Sequence, residues 1–275
     1  MPTAKINGIN IYYEMQGAGE PLLLIMGLGA NATAWEAQIP AFSREYRVIA
    51  FDNRGTGRSD KPTEMYSVRQ MADDAVLLLD ELGIPTAHVF GMSMGGMIAQ
   101  ELTLQHPNRV KSLVLGSTMA GGPGAVFPDT SHIAQFVGLA SLPPEQAIAK
   151  GLTFFYSDAF IAANHKRLTE RAKKHMHLMA PPHALQKQVM AVMGFNARRR
   201  LNEIRQPTLI LHGDADKIVP YANSAVLSAG IPGAQMISYE GIGHGMLVER
   251  STEVNVAVLQ FLAQHRTHYM PAAKV

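Results

Sequence analysis

The sequence predicts an α/β protein with a mostly parallel central sheet, helices on both of its faces, and an inserted helical lid. Three observations point there. Short runs such as Leu22-Leu23-Leu24-Ile25-Met26 are apolar without alternation, the mark of strands buried on both faces. Segments with a 3.6-residue apolar period lie between such runs. One interval, residues 118–206, lacks any sheet-like run and is far longer than the roughly 12–15 residues a structureless connection reaches in a compact domain.

The elements follow in order. Asn7-Gly8 is a tight-turn dipeptide between short β-type runs, so residues 3–16 read as an antiparallel hairpin. Residues 22–26, 47–51, 87–91, 111–115, 208–211 and 235–239 read as further strands. Residues 67–82 place Val68, Met71, Ala75, Leu78, Leu79 and Leu82 on one helical face, with Gly83 at the stop and Pro85 beyond it. Residues 94–105 and 246–264 read as helices of the same kind. The long interval leaves the sheet through Gly121-Gly122-Pro123-Gly124 and reads as helices over 144–155, 158–176 and 183–195. The predicted organisation is a core domain of residues 1–120 and 205–275 with a cap over 121–204. Residues 266–275 read as a loose tail.

Composition narrows the function. The 275 residues are 47% hydrophobic and 17% charged, which fits a globular chain and not a disordered one. Lys and Arg number 24 against 22 Asp and Glu, so a net charge of +2 gives no reason to expect nucleic acid or an anionic membrane as partner. The chain has no Cys, which excludes disulfides, thiolate metal sites and Cys nucleophiles. Met1–Asn10 contains one Lys and no apolar core, and no apolar run approaches the roughly 18 residues of a membrane span. A soluble, cytoplasmic protein is expected, its oligomeric state open and a homodimer included.

Chemistry enters at residues 91–95, Gly-Met-Ser-Met-Gly. This G-x-S-x-G follows an apolar strand and precedes a helix, the strand–turn–helix setting that exposes a nucleophilic serine, here Ser93. Gly91 and Gly95 stand where side chains would collide with neighbouring backbone. The helix N-terminus offers free N–H groups to developing negative charge. Without that setting the pentapeptide would be an ordinary glycine-rich turn.

A serine hydroxyl needs a positioned base. Of eleven histidines, His244 lies in Gly241-Ile242-Gly243-His244-Gly245, a loop at the C-terminal end of the last predicted strand, where ligands and catalytic groups of open α/β sheets gather. His165, His175, His177 and His183 fall in the cap, and the H-x-H pair at 175 and 177 points apart on a helix, so no metal is expected. An orienting carboxylate is expected after the strand at 208–211, where Asp214 and Asp216 both stand; Asp216 is favoured and Asp214 is the second candidate. The chain order is then Ser, Asp, His.

Together with Asp52-Asn53-Arg54-Gly55-Thr56-Gly57-Arg58-Ser59, a D-x-R-G-x-G-x-S segment, these motifs resemble the α/β-hydrolase superfamily, and within it esterases, enol-lactonases and related small serine hydrolases. The resemblance covers nearly the whole chain and is weakest in the cap. It implies an oxyanion hole made of two backbone N–H groups, Met94 after the nucleophile and Leu28 in the loop after the strand at 22–26. The family usually shows His-Gly in that loop; this chain has Met26-Gly27 and so lacks a loop-bracing side chain. The resemblance also makes Asp52–Ser59 a supporting turn instead of a phosphate site built on Arg54 and Arg58. Gly27-Leu28-Gly29 is not a dinucleotide fingerprint, because Ala32 stands where the third glycine belongs.

The expected function is hydrolysis of a carboxylic ester or lactone through an acyl-enzyme on Ser93, with no metal or organic cofactor and a small apolar substrate as partner. Trp35, Phe136, Leu139, Phe155 and Met179 are the candidate pocket residues, ordinary packing being the competing role for each. Two alternatives stay open: a C–C bond hydrolase of ring-fission diketones, and a small-ligand receptor on a hydrolase scaffold. Aminopeptidase, perhydrolase and thioesterase chemistry use similar residues. A dehalogenase or epoxide hydrolase would carry Asp where Ser93 stands.

Overall fold

The computed structural model describes residues 2–266, so the expected tail at 266–275 lies almost wholly outside the described residues. The chain opens on the predicted hairpin, β1 (Thr3–Ile6) and β2 (Ile9–Gln16), with Ile6 opposite Ile9. Asn7 and Gly8 both take left-handed φ angles, 49° and 79°, as this type of two-residue turn requires. Then come β3 (Glu20–Ile25), α1 (Ile39–Phe42), β4 (Tyr46–Phe51), α2 (Val68–Glu81), β5 (Ala87–Met92), α3 (Met94–Gln105) and β6 (Val110–Gly116). Four helices intervene before the next strand: α4 (Thr130–Gly138), α5 (Pro144–Phe155), α6 (Asp158–His175) and α7 (Pro182–Met193). The chain closes with β7 (Thr208–Gly213), α8 (Ala222–Gly230), β8 (Gln235–Tyr239), α9 (Met246–Glu249) and α10 (Ser251–Gln264).

The eight strands form one sheet in the order β1-β2-β4-β3-β5-β6-β7-β8. Only the β1–β2 and β2–β4 pairs are antiparallel. Successive residues of a strand face opposite sides, and the core divides accordingly. Leu23, Ile25, Val89, Leu113 and Leu115 join the cluster formed with α2 and α3, while Leu22, Leu24, Phe90, Val114 and Leu211 join Trp35, Phe42, Val258 and Phe261 on the other face. Burial on both faces explains why these strands read as unbroken apolar runs. The edge strand β8 differs: its side chains are exposed or half-buried on both faces.

Helix boundaries follow local chemistry. Ser67 caps α2 by accepting the Gln70 N–H, and Ser157 caps α6 by accepting the Phe160 N–H. The helix expected over 246–264 is two helices, broken at Arg250, whose φ of −123° is not helical. The helical insertion leaves and rejoins the sheet domain at one neck, where Gly121 bridges Asn196 and the Ala197 N–H donates to the Ala120 carbonyl. No helix among the described residues is long and apolar enough to cross a membrane.

The segment after β4 is anchored by charge. Arg54 Nε and Nη2 donate to the two Asp74 oxygens of α2, each at 2.6 Å, with both side chains almost fully buried. Removing one partner of such a pair leaves a charge unpaired in a site that water does not reach. Asp74→Ala is therefore expected to destabilise the fold by about 3–5 kcal/mol in urea unfolding. Asp80→Ala, which breaks the surface pair with Arg109, is expected to cost about 0–1 kcal/mol. Equal losses for the two variants would contradict this reading.

Candidate active site

The site residues share one edge of the sheet, outside the carboxyl ends of the parallel strands. Met26-Gly27-Leu28 follows β3, Ser93 follows β5, Asp216 lies three residues beyond β7, and His244 lies five beyond β8. Contacts from neighbouring loops tie these points together. The Ser93 N–H donates to the Gly116 carbonyl at the end of β6, at 2.8 Å. Met246, two residues past His244, lies against that same Gly116.

Ser93 has φ 56° and ψ −123°, a left-handed conformation rare for a residue with a side chain. The turn is held from several sides. Its carbonyl accepts the Gly96 N–H at 2.8 Å, the Met97 N–H at 3.3 Å and the Thr118 hydroxyl at 2.7 Å. The two glycines of the motif serve as expected: a Cβ at Gly91 would meet the Gly95 carbonyl oxygen at 2.3 Å, and one at Gly95 would meet the Ile25 carbonyl oxygen at 2.0 Å. Gly27 lies directly against the serine, since a Cβ there would stand 2.8 Å from Ser93 Cβ and 3.3 Å from its Oγ. The loop expected to supply the Leu28 N–H therefore adjoins the hydroxyl. Met94 opens α3, and its N–H has no carbonyl one turn earlier within the helix.

His244 Nδ1 is 2.7 Å from Asp216 Oδ2, and both residues are buried. The other carboxylate oxygen, Oδ1, accepts the Ile218 and Val219 N–H groups at 2.8 Å each. Burial pushes the Asp216 carboxyl up, but the charge of His244 and hydrogen bonds from His212 and His244 outweigh it and hold the group well below the usual carboxylate range. Asp214 plays a different part. It is exposed, and its Oδ1 accepts the Gly241 N–H at 2.7 Å, bracing the loop that carries His244. Of the two carboxylates, Asp216 alone touches the histidine ring.

His212 escaped sequence reasoning. It is the fifth residue of the buried strand β7, with no exposure, and its Nε2 lies 2.9 Å from the Val219 carbonyl and 3.5 Å from Asp216 Oδ2. A histidine inside an otherwise apolar strand, four residues before the acid, was the available signal. Arg54 and Arg58 are both engaged in support. Arg58 pairs with Asp52 at 3.0 Å and stacks on the Tyr12 ring, while Asp52 Oδ1 accepts the Ala32 N–H at 2.7 Å.

The pocket candidates separate. Phe155 lies beside the site, its ring centroid 6.0 Å from that of His244, and Phe136 stands 6.4 Å from Phe155. Leu139 is half-buried against α5 near Gly151. Trp35 packs in the core: the short turn Ala32–Trp35 rolls it inward, fully buried with its ring 4.9 Å from Phe90. Met179 is 64% exposed where the chain passes from α6 to α7. Among the described residues, no three His, Asp or Glu side chains are grouped to hold a metal ion.

Residues 20–251 match the family described as alpha/beta hydrolase fold. The chain belongs to the α/β-hydrolase family. This α/β hydrolase is 33% identical over 264 residues to the "Putative carbamate hydrolase RutD" of Azorhizobium caulinodans, across 96% of this chain and 99% of that protein. Among solved structures it resembles Est816, described as an N-acyl homoserine lactone degrading enzyme, at 31% identity and TM-score 0.82, covering 94% of this chain and 100% of that one. It also resembles the meta-cleavage product hydrolase CumD from Pseudomonas fluorescens IP01, at 25% identity and TM-score 0.82, covering 97% and 98%. The family and these relatives support hydrolase activity for this chain.

The depressed Asp216 carboxyl makes a prediction with a definite sign. Its stabilising contribution is complete above the ordinary carboxylate value of about 3.9 and is lost as pH falls through the lower folded value. The stability gap between the parent and Asp216→Asn is expected to narrow as pH drops below about 4. Urea midpoints across that range check it, and a gap that widens in acid would contradict it.

Proposed function

We propose that this α/β hydrolase cleaves a carboxylic ester or lactone through an acyl-enzyme on Ser93. The observation that carries the proposal is the left-handed Ser93 turn, set on the same sheet edge as a buried Asp216–His244 hydrogen bond of 2.7 Å. With Nδ1–H donated to Asp216, the neutral imidazole leaves Nε2 as an acceptor for the serine proton. Ser93 Oγ attacks the carbonyl carbon as His244 Nε2 takes its proton. The carbonyl oxygen becomes an oxyanion held by the Leu28 and Met94 N–H groups. The C–O bond to the leaving alcohol breaks, and His244 returns the proton to that alcohol. Water then attacks the acyl-enzyme with His244 again as base, giving the acid and free Ser93. Asp216 stabilises the imidazolium in both halves.

Phe155 beside His244, with Phe136 behind it, fits an apolar acyl or alcohol group. A small apolar substrate and a cytoplasmic location belong to the same proposal. A second reading is favoured by the relatives named putative carbamate hydrolase, since a carbamate carbonyl is open to the same attack.

Purified protein assayed on p-nitrophenyl acetate, p-nitrophenyl butyrate, γ-butyrolactone and ethyl carbamate, beside Ser93→Ala, tests the proposal. Turnover of an ester or the lactone is expected, with a loss approaching about 10⁶ in kcat for the variant. Turnover of the carbamate alone would move the assignment to the second reading. No turnover above the Ser93→Ala background on any of them would overturn both, and would favour a narrow C–C hydrolase or a binding protein.

A further inference from the structure

The loop after β3 must hold the Leu28 N–H at a fixed point beside Ser93, yet Met26 brings it no strong hydrogen-bonding side chain. Two amide side chains hold it instead. On the near side, Asn53 Nδ2 donates to the Met26 carbonyl at 2.7 Å. On the far side stands Gln188, fully buried on α7 of the insertion. Its Oε1 accepts the Gly29 N–H at 2.8 Å, and its Nε2 donates to the Arg54 carbonyl at 2.9 Å. One neighbour only donates and the other only accepts, so the amide has a single orientation that satisfies both. Leu185, one turn earlier on α7, packs on Gly29, its Cδ1 3.1 Å from where a Cβ would stand. Gly29 itself has φ 69°, so the backbone turns sharply just past Leu28.

We propose that Gln188 is a positioning residue of the oxyanion hole: through Gly29 it fixes the direction of the Leu28 N–H, and through Arg54 it ties that loop to the turn after β4. The inference rests on the ester-cleaving role of Ser93. It makes the insertion part of the machinery, because the hole is complete only with α7 seated. A misplaced donor weakens binding of the oxyanion, which exists only along the reaction path, and leaves ground-state binding largely intact. Loss of Gln188 therefore falls on kcat more than on KM.

Gln188→Met keeps the side chain's length and removes both hydrogen bonds. Gln188→Glu keeps both while protonated, since a carboxylic acid accepts from Gly29 and donates to Arg54, and loses the second on ionisation. The assay is p-nitrophenyl ester hydrolysis, with inhibition by phenylboronic acid, whose serine adduct carries a tetrahedral anion. Gln188→Met is expected to lower kcat about 10–100-fold, with KM within about threefold and boronate inhibition weakened by a similar factor to kcat. For Gln188→Glu the ratio of variant to parent kcat is expected to fall as pH rises. The inference is overturned if folded Gln188→Met keeps kcat within about twofold, or loses it with boronate inhibition unchanged. Should Gln188→Met not fold, a flat pH ratio for Gln188→Glu overturns it. A parent with no turnover above Ser93→Ala overturns the ester reading and this inference with it, whereas an active parent with unaffected Gln188 variants overturns this inference alone.

Discussion

A left-handed backbone at Ser93 is the constraint on which the site depends. Such a conformation costs a residue with a side chain about 1–3 kcal/mol and persists only where surrounding contacts over-determine it. Here they do. The N–H of Ser93 is fixed by the end of β6, its carbonyl by two N–H groups of α3 and by the Thr118 hydroxyl. Three glycines, Gly27, Gly91 and Gly95, leave the space into which neighbouring backbone packs. The turn can be this tight because β5 lies in the middle of the sheet, between β3 and β6, where both faces are filled by the core. Sheet packing thus supplies the rigidity that the Ser93 turn needs.

The insertion reaches the same edge from above, at two places. The Gly245 N–H, next to His244, donates to the Phe155 carbonyl at 2.7 Å, and Ser157 bonds Glu249 of α9. At the other side, Gln188 and Leu185 of α7 hold the loop after β3. The loop carrying His244 and the loop after β3 are therefore both fastened to the insertion, which itself joins the sheet domain through a neck at Gly121 and Asn196.

Much of this was legible in the sequence, and the remainder was not for identifiable reasons. The buried strands were readable because burial on both faces leaves an unbroken apolar run, and Ser93 because the glycines around it answer to local crowding. Asp216 and Asp214 could be ranked but not separated, since the choice depends on which carboxylate meets the ring of His244. The break at Arg250 was hidden because apolar spacing continues across it. The direction of Trp35 was not legible because a turn of four residues decides which way its side chain rolls, and no periodicity reports that. Gln188 left no local trace: its partners, Gly29 and Arg54, lie 159 and 134 residues away in the chain.

The central claim is that Ser93 is the nucleophile activated by His244. The most direct measurement is intact-protein and peptide mass spectrometry after brief reaction with diisopropyl fluorophosphate. The account predicts one phosphoryl adduct per chain, on Ser93, absent in Ser93→Ala and formed far more slowly in His244→Ala. An unlabelled parent, or an adduct on any other residue with Ser93 free, would contradict it.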